Sequence, residues 1–125
     1  MYDIIFYKDR RGKEPVREII EGLRARSATD KDSRIRFAKI MAYVGKLAEY
    51  GTRMGEPFIK HIEGDIWEIR PNRDRVFFFS MQGGSFVLLH HFMKKSQKTP
   101  RREIEQAKAN MQDYLERMNE DEQQG

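Results

Sequence analysis

The sequence predicts an α+β domain in which helices pack mainly on one face of a small, mostly antiparallel sheet. Three short apolar runs, at residues 66–69, 76–79 and 86–92, are rich in β-branched and aromatic residues. Pro-Asn and Gly-Gly separate them, which is typical of a three-strand antiparallel meander. Apolar residues also recur at helical spacing in two segments before the meander and in one after it.

The segments before the meander predict a short strand and a helical hairpin. Residues 2–7 read as a strand, and a basic turn follows around Gly12. Pro15 suits the first position of a helix. A second helix begins at Thr29 or Asp30 and ends at Gly51, a residue favoured after a helix C-terminus. The apolar stripes consist of Val16, Ile19, Ile20 and Leu23 in the first helix, and of Phe37, Ile40, Met41, Val44, Leu47 and Ala48 in the second.

The remaining segments complete the order strand, helix, helix, four strands, helix. A weak strand at residues 58–62 precedes the meander, and Thr99 and Pro100 begin the last helix. Residues 119–125 contain no apolar side chain, so we expect a disordered polar tail after a single domain at residues 1–118.

Composition favours an anionic partner. The 125 residues carry a formal net charge of +4, and the segment between Gly64 and Ile104 has eight Lys/Arg against four Asp/Glu. Cysteine is absent, which excludes disulfides, thiol nucleophiles and thiolate metal sites. We expect a cytoplasmic protein without membrane association, because the N-terminus lacks the apolar core of a signal peptide and no segment approaches ~20 apolar residues.

Alternation along the strands predicts a sheet face that carries arginine, histidine and aromatic groups together. Glu68 and Arg70 share one face of the first meander strand, and Arg75 and Phe77 share one face of the second. In the last strand Phe86, Leu88, His90 and Phe92 are expected to alternate with Val87, Leu89 and His91. Such a face suits a polyanion with exposed bases, and Phe77 or Phe79 would stack on a base.

Common catalytic templates fit poorly. Gly83-Gly84 is a hairpin turn rather than a phosphate-binding loop, and no serine has the context of a nucleophile. His90 and His91 point to opposite faces and His61 is isolated, so no metal site is expected. The residues that remain suit metal-free RNA cleavage. Arginine can stabilise a pentavalent phosphorane, and lysine or histidine can move protons.

One stretch has the pattern of a known family. An arginine closes one strand, a second opens the next, and His-x-Phe-x-Lys-Lys-x-x-Lys-x-Pro leads into a helix. These residues are Arg70, Arg75, His90, Phe92, Lys94, Lys95, Lys98 and Pro100. Over residues 59–110 the chain closely resembles the HigB-type toxins, including a phage-derived branch, of the RelE-like toxin–antitoxin superfamily. It departs at His91, where many relatives have a small residue.

The resemblance implies a RelE-like fold and the toxin of a type II toxin–antitoxin system. It implies a ribosome-dependent mRNA endoribonuclease that works by 2′-OH attack without metal or cofactor. It also implies a HigA-like helix-turn-helix antitoxin, with operator DNA bound only through the antitoxin complex.

On this basis Arg70 and Arg75 are assigned to phosphate stabilisation, and His90 and Lys95 to proton transfer or charge stabilisation. The residues assigned to RNA binding are Lys60, Arg73, Phe77, Lys94, Gln97 and Lys98. Each also has a structural interpretation: the arginines can pair with nearby acids, His90 can be a core histidine, and the lysines can form a solvated loop.

Two alternatives stay open at the level of sequence. The protein can be a non-catalytic nucleic-acid-binding module, or a catalytically dead relative that acts through antitoxin binding. Glu68 favours these alternatives, because it lies beside Arg70 where some superfamily members carry a basic residue.

Overall fold

The computed structural model describes residues 1–124, which form one five-stranded mixed sheet and three α-helices. The strands are β1 (Asp3–Phe6), β2 (Ile59–Glu63), β3 (Ile66–Ile69), β4 (Asp74–Met81) and β5 (Ser85–Met93). The helices are α1 (Pro15–Arg26), α2 (Lys31–Tyr50) and α3 (Arg101–Gln124), and a 3-10 turn follows α2 at Gly51–Met54. The predicted α+β class, the antiparallel meander β3-β4-β5 and the C-terminal helix are confirmed.

The strand order β1-β5-β4-β3-β2 contains one pairing that the sequence did not indicate. Strand β1 is parallel to β5, with Asp3 opposite Ser85 and Phe6 opposite Leu88. A parallel pairing needs a long connection between its strands, and here α1, α2 and the rest of the sheet supply it.

Helices cover both faces of the sheet, so the expectation that they pack mainly on one face holds only for α1 and α2. The first core lies between these two helices and the sheet and includes Leu23, Ile40 and Phe78. The second core lies between α3 and the opposite face and includes Phe77 and Ala107. Alternation along β4 explains the division, since Val76 and Phe78 face α1 and α2 while Phe77 and Phe79 face α3.

A β-bulge in β5 overturns the predicted alternation of that strand. Phe77 pairs with His90 but Phe78 pairs with Leu88, which leaves Leu89 as an extra residue. The ring of Phe86 therefore meets Phe78 in the first core. The rings of His90 and Phe92, in contrast, lie beside Phe77 on the α3 side.

The predicted tail is wrong for residues 119–124, which continue α3. An ion pair attaches this polar end of α3 to the rest of the protein, because Arg10 Nη2 lies 3.1 Å from Glu120 Oε1. Earlier in α3, Tyr7 Oη donates a 2.6 Å hydrogen bond to Asp113 Oδ2, and Arg117 donates to the carbonyl of Lys8. The end of α3 is thus attached to the segment after β1. Gly125 lies outside the described residues.

None of the helices within residues 1–124 combines the length and the apolar character that a membrane crossing requires.

Candidate functional site

The turn between β3 and β4 brings Arg70 and Arg75 together. Arg70 directly follows β3, where its backbone N–H donates to the carbonyl of Phe58 at 2.9 Å. Arg75 is the second residue of β4, and its Nη1 donates to the carbonyls of Asn72 at 2.7 Å and Asp74 at 2.9 Å. The turn itself therefore fixes the Arg75 guanidinium.

Glu68 lies against both guanidinium groups. Its Oε1 is 3.4 Å from Arg70 Nε and 3.9 Å from Arg75 Nε. The Glu68 side chain is only 2% exposed, against 8% for Arg75 and 23% for Arg70. Neither contact is a hydrogen bond, and Glu68 Oε2 has no hydrogen-bond partner within residues 1–124. The carboxylate is therefore buried among cations without being fully satisfied by them.

Two lysines complete this cluster, which we name the arginine site: Lys60, Glu68, Arg70, Arg75 and Lys94. Lys60 on β2 is the cross-strand partner of Glu68, and Lys94 follows β5. Burial raises the pKa of Glu68, and the four cations only partly offset that effect. Burial also lowers the pKa of Arg75, which Glu68 partly opposes. Four cations around one acid leave an excess of positive charge, which is the electrostatic requirement of an anion-binding site.

The loop after β5 runs beside the arginine site. The backbone N–H of Lys94 donates to the carbonyl of Arg73 at 2.7 Å, which joins this loop to the β3–β4 turn. Lys95, Gln97 and Lys98 are exposed. Lys95 also lines a surface cavity of about 310 Å³ at the start of α3, together with Pro100, Arg102 and Glu103. Arg73 is 66% exposed, with its Nη2 3.8 Å from Asp32 Oδ1.

His90 lies outside the arginine site. In one row across the sheet, Glu68 pairs with Phe77 and Phe77 pairs with His90, so Phe77 separates the two polar residues. His90 Nε2 is 2.8 Å from Glu103 Oε1. The imidazole lines a different cavity, of about 310 Å³, with Tyr7, Asp9, Lys13, Pro15, Glu18, Gln106 and Asn110. Sequence reasoning missed Glu103 as the partner of His90. The separation of the two residues along the sequence does not show that the first turn of α3 folds back over β5.

The predicted stacking role of Phe77 is wrong. Its side chain is fully buried in the second core, with its ring 5.5 Å from that of Phe92. Alternation correctly places Phe77 on the same face of the sheet as Arg75. Helix α3 covers that face at Phe77, so the ring is not accessible to a base.

A second buried acid, Asp74, lies on the opposite face of the sheet and has a full set of partners. Arg36 on α2 donates two hydrogen bonds to it, Nη2 to Oδ1 at 2.8 Å and Nε to Oδ2 at 3.1 Å. His91 Nε2 lies 2.7 Å from Oδ1. Burial by itself would raise the pKa of Asp74, but the bonds from His91 and Arg36 outweigh it and lower the pKa to about 2. His91 and Arg36 thus attach α2 to β4 and β5 through Asp74.

Metal-binding donors are not concentrated at either cluster. Within residues 1–124, no three His, Asp or Glu side chains are grouped as they would be to hold a metal ion.

The fold and the arginine site define a small α+β protein with a partly buried cluster of cations around one carboxylate at one end of its sheet. A family model described as phage-derived protein Gp49-like matches residues 27–112, well over half of the chain. The chain belongs to this Gp49-like family, which is part of the RelE-like toxin superfamily and often provides the toxin of a toxin–antitoxin system. The matched residues include the whole arginine site. No curated protein matches the chain significantly.

Proposed function

We propose that this protein is a HigB-type toxin, an endoribonuclease that cleaves mRNA by attack of the 2′-hydroxyl on the adjacent phosphate. The observation that carries the proposal is the arginine site, where two guanidinium groups and two lysines lie around a single carboxylate. Membership of the Gp49-like family supplies the biological context. The geometry supports binding of a phosphodiester at the outer side of Arg70 and Arg75.

The reaction needs charge stabilisation more than a strong base. The O2′–P bond forms as the 2′-hydroxyl loses its proton, and negative charge builds on the phosphorane oxygens. Arg70 and Arg75 would stabilise that charge, because a guanidinium keeps its charge and presents donors in a planar fork. The P–O5′ bond then breaks, and the 5′-oxygen takes a proton. The products are a 2′,3′-cyclic phosphate and a 5′-hydroxyl.

Lys95 is our first candidate for proton transfer to the leaving oxygen. It is exposed and lies in the loop that Lys94 attaches to the β3–β4 turn. His90 is the second candidate, since a carboxylate such as Glu103 can orient an imidazole for acid–base work. The buried ring of Phe77 separates His90 from the arginines, which is why we rank it after Lys95.

The RNA strand would extend over the basic residues that surround the arginine site. Lys60 and Lys94 lie close enough to Glu68 to affect its pKa, and they would hold the phosphates next to the cleaved bond. Arg73, Gln97 and Lys98 are exposed and would contact the flanking nucleotides. Because Phe77 is buried, no aromatic platform enters this proposal.

The partners proposed are those of a type II system: mRNA on the translating ribosome, and a HigA-like helix-turn-helix antitoxin that inactivates the toxin. Operator DNA would be bound only through the antitoxin complex. The family assignment supports this part of the proposal.

Induced expression tests the proposal, with and without the neighbouring open reading frame. We expect growth arrest, new mRNA 5′ ends in primer extension, and rescue by the antitoxin. Cleavage by purified protein with intact ribosomes should survive chelation by EDTA, provided that the ribosomes keep their magnesium. Normal growth with no new transcript ends would favour a binding module or a dead relative instead. Cleavage that EDTA abolishes and one added divalent ion specifically restores, with the ribosomes kept intact throughout, would contradict the metal-free mechanism.

A further inference from the structure

The Glu68 carboxylate is the least satisfied buried charge of the arginine site. It is 2% exposed, its Oε1 contacts both guanidinium groups at 3.4 and 3.9 Å, and its Oε2 has no hydrogen-bond partner within residues 1–124. Buried polar atoms in folded proteins are nearly always hydrogen-bonded, so an atom such as Oε2 needs an explanation. A structural ion pair would be expected to use both oxygens, as Asp74 does with Arg36.

The charges that face Glu68 come from every strand around it. Lys60 faces it from β2, Arg70 from the end of β3, Arg75 from β4, and Lys94 from the segment after β5. Glu68 is the single acid among them, and its negative charge occupies the two guanidinium groups that the proposed function assigns to phosphate. A phosphodiester placed there brings a second negative charge within a few ångströms of a carboxylate that is already poorly solvated.

We propose that Glu68 is an internal anion of the phosphate site: it competes with the RNA phosphate for Arg70 and Arg75, and RNA binding at this site takes up one proton onto the Glu68 carboxyl group. The inference rests on the proposed function for the assignment of these arginines as phosphate ligands, but it does not require cleavage. The proton comes from solvent, adds to Oε2 and leaves a neutral carboxylic acid. Both guanidinium groups are then available to the phosphate.

The direction of the linkage follows from the contacts. A bound phosphate disfavours the ionised form of Glu68, so its pKa is higher in the complex than in the free protein. Burial already raises that pKa in the free protein. Between the two values the affinity of the wild-type protein for RNA falls on the order of tenfold for each unit by which the pH rises.

The test measures binding of a 2′-O-methyl RNA oligonucleotide, which lacks the attacking hydroxyl and cannot be cleaved. Affinity is measured at constant ionic strength from about pH 5 to about pH 8, for the wild-type protein and for Glu68→Gln. Glu68→Gln should bind more tightly than the wild type at the upper end of this range and should lose most of the fall in affinity. The two proteins differ only at residue 68, so the difference between the two pH profiles isolates Glu68.

Glu63→Gln is a matched control. It removes one negative charge from the same hairpin, but Glu63 is paired with Arg101 and Lys108, and these partners lower its pKa to about 2. It stays ionised throughout the experiment, so its removal should change affinity by a factor that is constant with pH. Calorimetry in two buffers of different ionisation enthalpy should show proton uptake by the wild type, reduced in Glu68→Gln. Absence of proton uptake by the wild type would overturn the inference even if the variant folds poorly.

Parallel pH profiles for the wild type and Glu68→Gln, or no proton uptake by the wild type, would overturn the inference. RNA cleavage without proton uptake on binding would leave the nuclease proposal intact and remove Glu68 from it. Proton-linked binding without cleavage would support the role of Glu68 in RNA binding and contradict the nuclease proposal. Failure of the wild type to bind the oligonucleotide would overturn the phosphate site and this inference with it.

Discussion

Asp74 and Glu68 are both buried carboxylates, yet the sheet gives them different surroundings on its two faces. Asp74 faces α2 and accepts three hydrogen bonds, two from Arg36 and one from His91. Glu68 faces the α3 side and has two loose ion pairs, and its Oε2 has no hydrogen-bond partner in the described part of the chain. The pKa of Asp74 is lowered to about 2, whereas burial raises that of Glu68. Of the two, Glu68 is the acid whose hydrogen-bonding capacity is left partly unused within residues 1–124.

The difference separates a structural acid from one at a binding site. A buried charge whose donors are all in place stabilises one arrangement of the chain, and Asp74 joins α2 to the sheet in this way. A buried charge left incompletely paired within an excess of cations lowers stability in the free protein and is a candidate for a binding site. The following predictions test this distinction, from the largest expected effect to the smallest.

Replacement of Asp74 should be the most damaging to stability. Asp74→Ala leaves Arg36 and His91 without their acceptor, and breaking a buried pair in this way typically costs about 3–5 kcal/mol. Urea denaturation monitored by circular dichroism measures the loss. Glu68→Gln is the comparison, and we expect it to be neutral or stabilising, because it removes a poorly paired charge. Equal losses in the two variants would contradict the distinction.

Replacement of Arg75 should be the most damaging to activity. Loss of one transition-state donor typically lowers the rate by about 10²–10³, or roughly 2.7–4 kcal/mol, and we expect this for Arg75→Ala. Arg75→Lys should rescue poorly, because an ammonium group cannot reproduce the planar fork. The measurement is toxicity and mRNA cleavage at matched protein levels.

A folding control is needed for Arg75, because its side chain is only 8% exposed. Arg75→Ala should keep its circular dichroism spectrum and its binding to the antitoxin. If it does not, Arg75→Ala combined with Glu68→Gln should restore folding without restoring cleavage. Full toxicity of Arg75→Ala would remove this residue from the mechanism, and recovery of cleavage in the double variant would make its role structural.

The two acids should affect the pH dependence of stability with opposite sign. The pKa of Asp74 is depressed, so its contribution is present above its unfolded value and is lost as the pH falls towards about 2, on the order of 2 kcal/mol in all. The pKa of Glu68 is raised, so its ionisation costs stability above its folded-state pKa and costs nothing below its unfolded value. Unfolding free energies measured across the acid range should flatten at low pH in Asp74→Asn and at higher pH in Glu68→Gln. The same change in both variants would contradict the assignment.

The smallest effects concern the lysines. Lys94→Ala should weaken RNA binding more than Lys98→Ala, because Lys94 is half-buried and acts on Glu68 while Lys98 is exposed on the loop. Lys98→Ala should lower affinity only modestly and reduce the slope of log affinity against log salt by about one. A salt titration of both variants measures the difference. A Lys98→Ala titration that coincides with the wild type would remove Lys98 from the RNA-binding surface.

Sequence reasoning reached the arginine site because its signals are local. Arg70 and Arg75 flank one tight turn, so a hairpin must bring them together whatever the rest of the chain does. Glu68 was placed beside them by alternation, and its loose pairing within a cluster of cations became visible only with the side chains in position. From sequence alone, Glu68 was only a reason to doubt activity.

The features that were missed depend on contacts between distant segments. The bulge at Leu89 reverses the faces of the second half of β5, and no residue type announces it. The burial of Phe77 depends on which face α3 covers, and the pairing of Asp74 with Arg36 joins residues far apart in sequence. In each case the hydrophobic periodicity of the sequence predicts a single strand or helix well, but it does not specify how two such elements pack together.

The parallel pairing of β1 with β5 also constrains the order in which the chain can fold during its own synthesis. β1 leaves the ribosome first, but its partner residues, from Ser85 to Leu88, are made only after α1, α2 and three further strands. Contacts between such distant segments fold slowly, because a long loop must close before they form. The hydrogen bond of Tyr7, directly after β1, forms later still, because its acceptor Asp113 lies in the last helix. A nascent chain therefore carries β1 as an unpaired edge until most of the protein has been translated.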